Sequence, residues 1–216
     1  MTPRTRLLLA IAATVALAGC KHSGDLVVEE GVGITAVRSA CPAVGIPDYT
    51  GDVTLFRTPG ATDANSIDVT AVMTNVRSQC SEGTDKVYTT VNFDVLGRRA
   101  DVHGARRVTL PYFVTVLRGG TAVISKRVGQ VTLDFADGQE RARATAQGGA
   151  YVNRAEATLP ADIRERITRR RKAGEAEAAV DPLSEPDVRT AVARATFEVL
   201  VGFQLDQNQL AYNATR

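Results

Sequence analysis

The feature that most constrains the fold is an alternation of apolar and polar residues with a period of two, which recurs between residues 52 and 144. Each run is rich in β-branched residues, and such runs are typical of strands with one buried face. The clearest runs are residues 52–57, 67–74, 87–96 and 108–117, and in the third Val87, Thr89, Val91, Phe93 and Val95 share one face. Pro111 cannot donate a ladder hydrogen bond, so we expect the fourth strand to lie at a sheet edge or to bulge there.

Glycine-containing turns divide the later strands. Arg118-Gly119-Gly120 and Ala136-Asp137-Gly138 contain glycines that tolerate the positive φ of tight turns, so we predict hairpins over residues 114–126 and 131–144. Residues 151–159 are a further candidate strand. Short strands at this spacing, without βαβ alternation, predict a mainly β, antiparallel β-sandwich over residues 34–159. The strand rhythm is similar to that of immunoglobulin-like domains of bacterial envelope proteins.

Residues 160–216 lose this alternation and predict helices. Ile163 and Ile167 stand four apart, and this spacing predicts a helix over residues 160–172. Farther along, Ser184-Glu185-Pro186-Asp187 has capping-box spacing, which predicts a second helix that begins near Glu185. Its buried face would comprise Val188, Val192 and Ala195.

The end of the chain admits two interpretations. Residues 197–205 alternate as a strand does, yet Val199 and Phe203 also fit a continuation of the preceding helix. Aromatic and β-branched content, together with Gly202, favours a final strand that rejoins the sheet. Residues 206–216 fit either a short docked helix or a tail. We therefore expect a C-terminal helical segment and a final strand, residues 160–216, packed on the sandwich.

The first 19 residues have the organisation of a secretory signal peptide. Arg4 and Arg6 precede an apolar run over residues 7–17, and small residues precede Cys20. The run is shorter than the about 20 residues that a transmembrane helix needs. Leu17-Ala18-Gly19-Cys20 resembles the lipobox of bacterial lipoproteins. The resemblance implies cleavage before Cys20 and diacylglycerol on its thiol, whereas an ordinary secretory signal or an uncleaved anchor are the alternatives.

Lipid on Cys20 would hold the chain on a membrane, because two or three acyl chains bind far more durably than one. Residues 20–33 would then form a lipidated tether between the membrane and the folded domain. The second residue of the mature chain would be Lys21. An aspartate at this position resembles an inner-membrane retention signal, and it is absent here. The periplasmic side of the outer membrane is therefore the expected location, with the inner membrane as the alternative.

The remaining cysteines are Cys41 and Cys80. Disulfides form and persist in exported proteins, so the pair predicts a bridge, with two buried free thiols or a pair awaiting a partner as the alternatives.

The net charge of the chain gives little information about its partner. The sequence has 26 basic and 24 acidic residues, and loss of Arg4 and Arg6 with the leader balances them. A balanced chain gives no reason to expect nucleic acid as a partner.

Residue types that carry catalysis are sparse. His22 falls in the tether and His103 in a loop, whereas catalytic zinc sites commonly need more than one histidine on packed elements. No nucleophile elbow, P-loop or dinucleotide fingerprint occurs. The acid pairs Glu29-Glu30 and Asp134/Asp137 are interpreted as exposed solubilising groups rather than glycosidase carboxylates. We therefore expect no enzyme activity, no cofactor and no metal site.

One cluster of charge is a candidate binding surface. Six basic residues of the predicted helix over residues 161–172 lie close together and could meet anionic lipid, lipid-linked phosphate or an acidic partner: Arg164, Arg166, Arg169, Arg170, Arg171 and Lys172. The alternative is a solvated helix balanced by downstream acids.

The sequence thus favours an envelope lipoprotein with a structural or protein-interaction role, an accessory subunit of an envelope complex. A glycan-binding or anionic-lipid-binding module that uses the basic helix is the alternative, and an envelope enzyme, which would need a pocket that holds His103 or paired acids, is a third hypothesis. The sequence leaves open the partner, the membrane and the oligomeric state.

Overall fold

The computed structural model describes residues 39–169, 174 and 180–216, which form two four-stranded sheets packed face to face with helices near the C-terminal end. This arrangement confirms the predicted β-sandwich. The strands are β1 (Ala43–Gly45), β2 (Asp52–Phe56), β3 (Ile67–Glu82), β4 (Lys86–Arg99), β5 (Arg106–Arg118), β6 (Ala122–Phe135), β7 (Arg141–Asn153) and β8 (Phe197–Phe203). The helices are α1 (Arg154–Ala157), α2 (Ala161–Thr168), α3 (Pro186–Ala195) and α4 (Gln207–Thr215).

The first sheet has the order β1-β8-β5-β6 and the second the order β2-β3-β4-β7. All strand pairs are antiparallel except β1 with β8, which is parallel. The predicted inward face of β4, from Val87 to Val95, is buried against the inward residues of β5 and β8. Alternation along each strand therefore produces one shared core between the sheets.

The final strand is confirmed as β8. It lies in the interior of the first sheet between β1 and β5, so this C-terminal strand completes the sandwich itself. Its run Phe197–Phe203 has few polar residues because both of its neighbours and the opposite sheet surround it.

The expectation that the strand containing Pro111 is an edge strand or bulges at that residue is wrong. β5 pairs with β6 on one side and with β8 on the other. Pro111 is tolerated because β8 ends at Phe203, opposite Tyr112, and the Pro111 carbonyl accepts a hydrogen bond from the backbone N–H of Gln204. The nitrogen of Pro111, which carries no hydrogen, therefore lies just beyond the end of β8, where no strand residue requires a hydrogen bond from it.

The hairpin predicted over residues 114–126 is confirmed by the pairing of β5 with β6. The one over residues 131–144 is wrong, because β6 and β7 belong to different sheets. A tight turn does form, with the N–H of Gln139 bonded to the carbonyl of Ala136, but here it carries the chain from one sheet to the other. β7 pairs with β4 instead.

Other boundaries also differ from expectation. The candidate strand over residues 151–159 ends at Asn153, and α1 follows it. The predicted capping box is wrong: Glu185 is the N-cap of α3 without a side-chain cap bond, and the Ser184 hydroxyl bonds to the Asp181 carbonyl. Residues 206–216 form α4, capped by Asp206.

Helices α2 and α3 pack together in a small second cluster. Ile163, Ile167 and Val188 are its buried members, and Val192 is partly buried against them. Ala195 is also buried, so the residues predicted to form the inward faces of the two helices are buried or partly buried. In the part of the chain described here, no helix is long and apolar enough to cross a membrane.

Cys41 and Cys80 form the predicted disulfide, which ties the segment before β1 to β3. Several other predictions lie outside the described residues: the leader, Cys20, the tether with His22 and Glu29-Glu30, and the basic residues Arg170, Arg171 and Lys172.

Arg99, at the end of β4, is the largest fully buried side chain, with 1% of its surface exposed. Its guanidinium donates hydrogen bonds to four backbone carbonyls, those of Val102, Gly104, Ala136 and Gln139, at 2.7 to 2.8 Å. It also lies over the ring of Phe135. Arg99 therefore fastens the β4–β5 loop and the β6–β7 turn to each other at one end of the sandwich.

Candidate binding site

The first half of β6 has three exposed large apolar residues, more than any other described strand. Val123, Ile124 and Val128 are 64%, 54% and 60% exposed, the three together on one edge strand. β6 pairs with β5 on one side, and within the described residues nothing pairs with its other side. Long apolar edge strands associate with other strands unless something covers them, so this open edge is a candidate interaction surface.

A cleft of about 420 Å³ lies beside this edge, between β6 of one sheet and β7 of the other. We call it the edge cleft. Its lining residues come from four strands and include Thr89, Tyr112, Arg127, Val128, Gly129, Gly148, Gly149 and Tyr151. The Tyr112 hydroxyl donates to the Gln147 carbonyl at 2.8 Å, which links β5 to β7 across the two layers.

Glycines shape this cleft. A Cβ atom on Gly129 would lie 2.5 Å from the ring of Tyr112, and one on Gly148 would lie 2.3 Å from a methyl group of Val114. Side chains at these two positions would therefore push against the residues that connect the sheets. Their absence lets the side chains of Tyr112 and Val114 pack directly against the backbones of β6 and β7.

Two polar groups in the edge cleft lack partners within the described part of the chain. The Thr89 side chain points inward from β4 and is only 2% exposed, yet its Oγ1 atom has no hydrogen-bond partner. Buried hydroxyls are nearly always paired, so the Thr89 hydroxyl keeps its full capacity to donate one hydrogen bond and to accept others. Arg127 is exposed, and no ion pair with a described residue is found for it. The cleft thus offers one hydroxyl and one guanidinium.

Exposed aromatic rings border the cleft. Tyr88 and Tyr151 are opposite each other on the outer face of β4 and β7, with ring centroids 6.2 Å apart. The ammonium of Lys86 lies 4.3 Å from the centre of the Tyr151 ring. The sequence did not indicate this pair, because the two tyrosines are far apart in the chain and meet only through the register of β4 with β7.

The outer face of the second sheet holds a larger concavity of about 750 Å³ whose exposed apolar residues are Val72 and Leu96. Four arginines line it, and three of them, Arg98, Arg143 and Arg216, are paired with Glu140, Asp94 and Asp52. The charges of these three are therefore already engaged, which makes this surface a weaker candidate.

Asp94 on this face is nearly buried and fully satisfied. Hydrogen bonds from Asn75, Thr145 and Arg143 hold the pKa of Asp94 below its ordinary value, against a smaller effect of burial. Asp94 is therefore ionised at neutral pH and anchors the bulge in β3 at Asn75.

The residues considered for catalysis remain dispersed. His103 lies in the β4–β5 loop with its side chain 92% exposed, and its Nδ1 atom is 2.8 Å from Oδ1 of Asp101. Asp134 pairs with Arg107, and Asp137 accepts the backbone N–H of Gly104. No group of three or more histidine, cysteine, aspartate or glutamate residues within the described ranges could hold a metal ion.

The basic helix is only partly described. Arg166 of α2 is hydrogen-bonded to Glu185 and, at 2.5 Å, to Asp187. These two acids hold the pKa of Arg166 above its ordinary value, Asp187 most strongly. Arg166 thus joins α2 to α3 and is not available as a free charge, whereas Arg164 is exposed.

Edge strand β6 is the candidate interaction element that the sequence did not indicate. Its signal is present as Val123-Ile124-Ser125-Lys126-Arg127-Val128, where apolar residues fall on both faces without clean alternation. Such a run predicts a strand that is not covered by a neighbouring layer, but the assumed hairpin with β7 hid this interpretation.

Comparison of the chain with known protein families, with curated proteins and with solved structures finds no match to any of them.

Proposed function

We propose that the protein is a non-catalytic envelope lipoprotein, held by lipid on Cys20 at the periplasmic side of the outer membrane, that binds a partner protein as an accessory subunit. The observation that carries this proposal is the open edge of β6, with its exposed Val123, Ile124 and Val128. A stable domain that leaves such an edge uncovered benefits from a partner strand, because the added backbone hydrogen bonds and buried aliphatic surface favour association.

A protein partner accounts for these features better than an anionic surface on the basic helix. Arg166 is already bonded to Glu185 and Asp187, so part of that helix serves the internal contact between α2 and α3. Val123, Ile124 and Val128 of β6 are exposed and pack in no core formed by the described residues.

Photo-crosslinking in cells tests the proposal. A photoreactive amino acid replaces Val128 in the full chain, and a matched variant carries it at Leu210 of α4, which is 42% exposed. We expect one discrete crosslinked protein from position 128 that co-purifies in fixed ratio after gentle extraction, and none from position 210. Equal or absent crosslinking at the two positions would contradict the proposal.

Membrane attachment is tested separately. Cys20→Ser removes the atom that would carry the lipid, so incorporation of labelled fatty acid into the chain should be lost, whereas the unchanged chain should incorporate it. Absence of labelled fatty acid from the unchanged chain, or equal incorporation into the Cys20→Ser variant, would contradict the lipid anchor.

A further inference from the structure

The backbone of β6 offers a defined set of unpaired groups. Because the Pro111 carbonyl points towards β8, the alternation of hydrogen-bond direction makes Tyr112 and Gly129 a bonded pair. Along β6, the N–H and carbonyl groups of Lys126, Val128 and Gln130 therefore point away from β5. An extended segment could pair with these three residues as a ninth strand.

The side chains beside these groups set the chemistry of that segment. Arg127 projects to the inward side and lines the edge cleft, and Thr89, whose Oγ1 atom is buried and unpaired within the described residues, is another of its lining residues. A carboxylate can accept a hydrogen bond from both groups and can neutralise the guanidinium. A basic or purely apolar side chain would satisfy neither.

The charge around the open edge selects the same kind of partner. Neither the residues 122–133 of β6 nor the strand β7 contains an acidic residue, whereas Lys126, Arg127 and Arg141 are basic. Pairing of β6 with β6 of a second copy would bring Lys126 and Arg127 of both chains together, and like charges on adjacent strands are unfavourable. A segment that carries carboxylates is complementary in charge.

We infer that the partner supplies an extended acidic segment, which adds to β6 as an edge strand and inserts one aspartate or glutamate side chain into the edge cleft between Arg127 and Thr89. This inference rests on the proposed function, because it names the chemistry of the partner that β6 binds. Val128, which is 60% exposed, packs against the outward side chains of the added strand.

The test uses the full chain with a nine-residue segment of alternating threonine and valine joined to Arg216 by a flexible Gly/Ser linker. A linker of about 25 residues has a mean span of roughly 27 Å and gives a millimolar effective concentration. The central residue of the segment is Glu, Gln or Lys. Hydrogen exchange of the backbone amides of Lys126, Val128 and Gln130 reports docking.

We expect the Glu segment to slow exchange of these amides at least tenfold more than the Gln or Lys segments. Arg127→Gln should remove that preference, and Thr89→Val should weaken it. Arg141→Gln, which changes a basic residue of β7 outside the edge cleft, should preserve it. Thr89→Val should not destabilise the protein without a segment, because the hydroxyl that it removes is unpaired.

Three results would overturn the inference. The first is that the Glu and Lys segments protect the amides equally or not at all. The second is that the amides are already protected without any segment. The third is that Arg127→Gln abolishes binding to anionic phosphatidylglycerol vesicles while docking of the segment is unaffected. The last result would assign the basic edge to a membrane. If crosslinks from position 128 persist while the segments show no preference for Glu, the proposed function stands and only this inference fails.

Discussion

Replacement of Arg99 by methionine should destabilise the fold more than any other change of a charged residue in the described part of the chain. Methionine keeps the apolar volume that packs on Phe135 but removes every donor. Four carbonyls, those of Val102, Gly104, Ala136 and Gln139, then lose their partner. All four belong to the β4–β5 loop or the β6–β7 turn, so both connections are released together.

The magnitude follows from the number of bonds. Hydrogen bonds with a charged donor contribute about 1.5–3 kcal/mol each, so the gross loss is about 6–12 kcal/mol. Methionine avoids the cost of burying a guanidinium, and carbonyls in surface turns can bind water in the variant. We therefore expect a net loss of about 3–5 kcal/mol, which lowers the urea midpoint by roughly 2 M.

Urea unfolding followed by circular dichroism measures this loss. Arg98→Met is the matched control, because Arg98 is the preceding residue, its side chain is 67% exposed and it forms only a surface ion pair with Glu140. The control should change stability by less than about 1 kcal/mol. If Arg99→Met and Arg98→Met shift the urea midpoint equally, the buried guanidinium does not hold the loop and the turn together, and the reasoning is refuted.

Three further changes have definite expected results. Joint replacement of Cys41 and Cys80 by serine should cost about 4 kcal/mol in urea unfolding, because the bridge closes a separation of 39 residues. Gly148→Ala should cost about 1–3 kcal/mol through its clash with a valine methyl group, whereas Gly149→Ala, whose Cβ would have 4.0 Å of space, should be neutral. Asp94→Asn should reduce the loss of stability on acidification below about pH 4.

The sign of the Asp94 effect follows from its lowered pKa. A carboxyl group whose pKa is lower in the folded state stabilises the fold above its unfolded pKa, and this contribution disappears as the pH falls through the folded pKa. Equal acid sensitivity of Asp94→Asn and the unchanged protein would contradict it. An unchanged urea midpoint after joint replacement of Cys41 and Cys80 by serine would contradict the prediction for the disulfide. Equal urea midpoints for Gly148→Ala and Gly149→Ala would contradict the prediction for the glycines.

Local pattern was enough to predict most of the strands. The inward faces of β3, β4 and β5 follow from period-two alternation alone, and β8 follows from its aromatic and β-branched residues. The bridge between Cys41 and Cys80 follows from their being the only pair left after Cys20. These predictions succeed because each depends on neighbouring residues or on residue counts.

Predictions that depended on pairing were less successful. Pro111 excludes a ladder hydrogen bond at one residue, but it does not exclude an interior strand whose neighbour ends at that point. Arg99 continues the inward face of β4 from Val95 and Gly97, yet its charge argues against burial until the surrounding carbonyls are known. In both positions the deciding partner is a backbone group that becomes a neighbour only in the folded state.

The edge cleft shows how one pairing error affects a functional interpretation. If the turn at Asp137 had joined β6 and β7 in a hairpin, the two strands would have satisfied each other's backbone groups, and neither edge would have been open. Because that turn instead carries the chain between sheets, β6 and β7 keep one free edge each on the same side of the sandwich, with Thr89 and Arg127 between them. The crossing of the chain between the sheets therefore creates the candidate binding surface. The sequence alone indicates the turn, but it does not show that the strands on either side of the turn belong to different sheets.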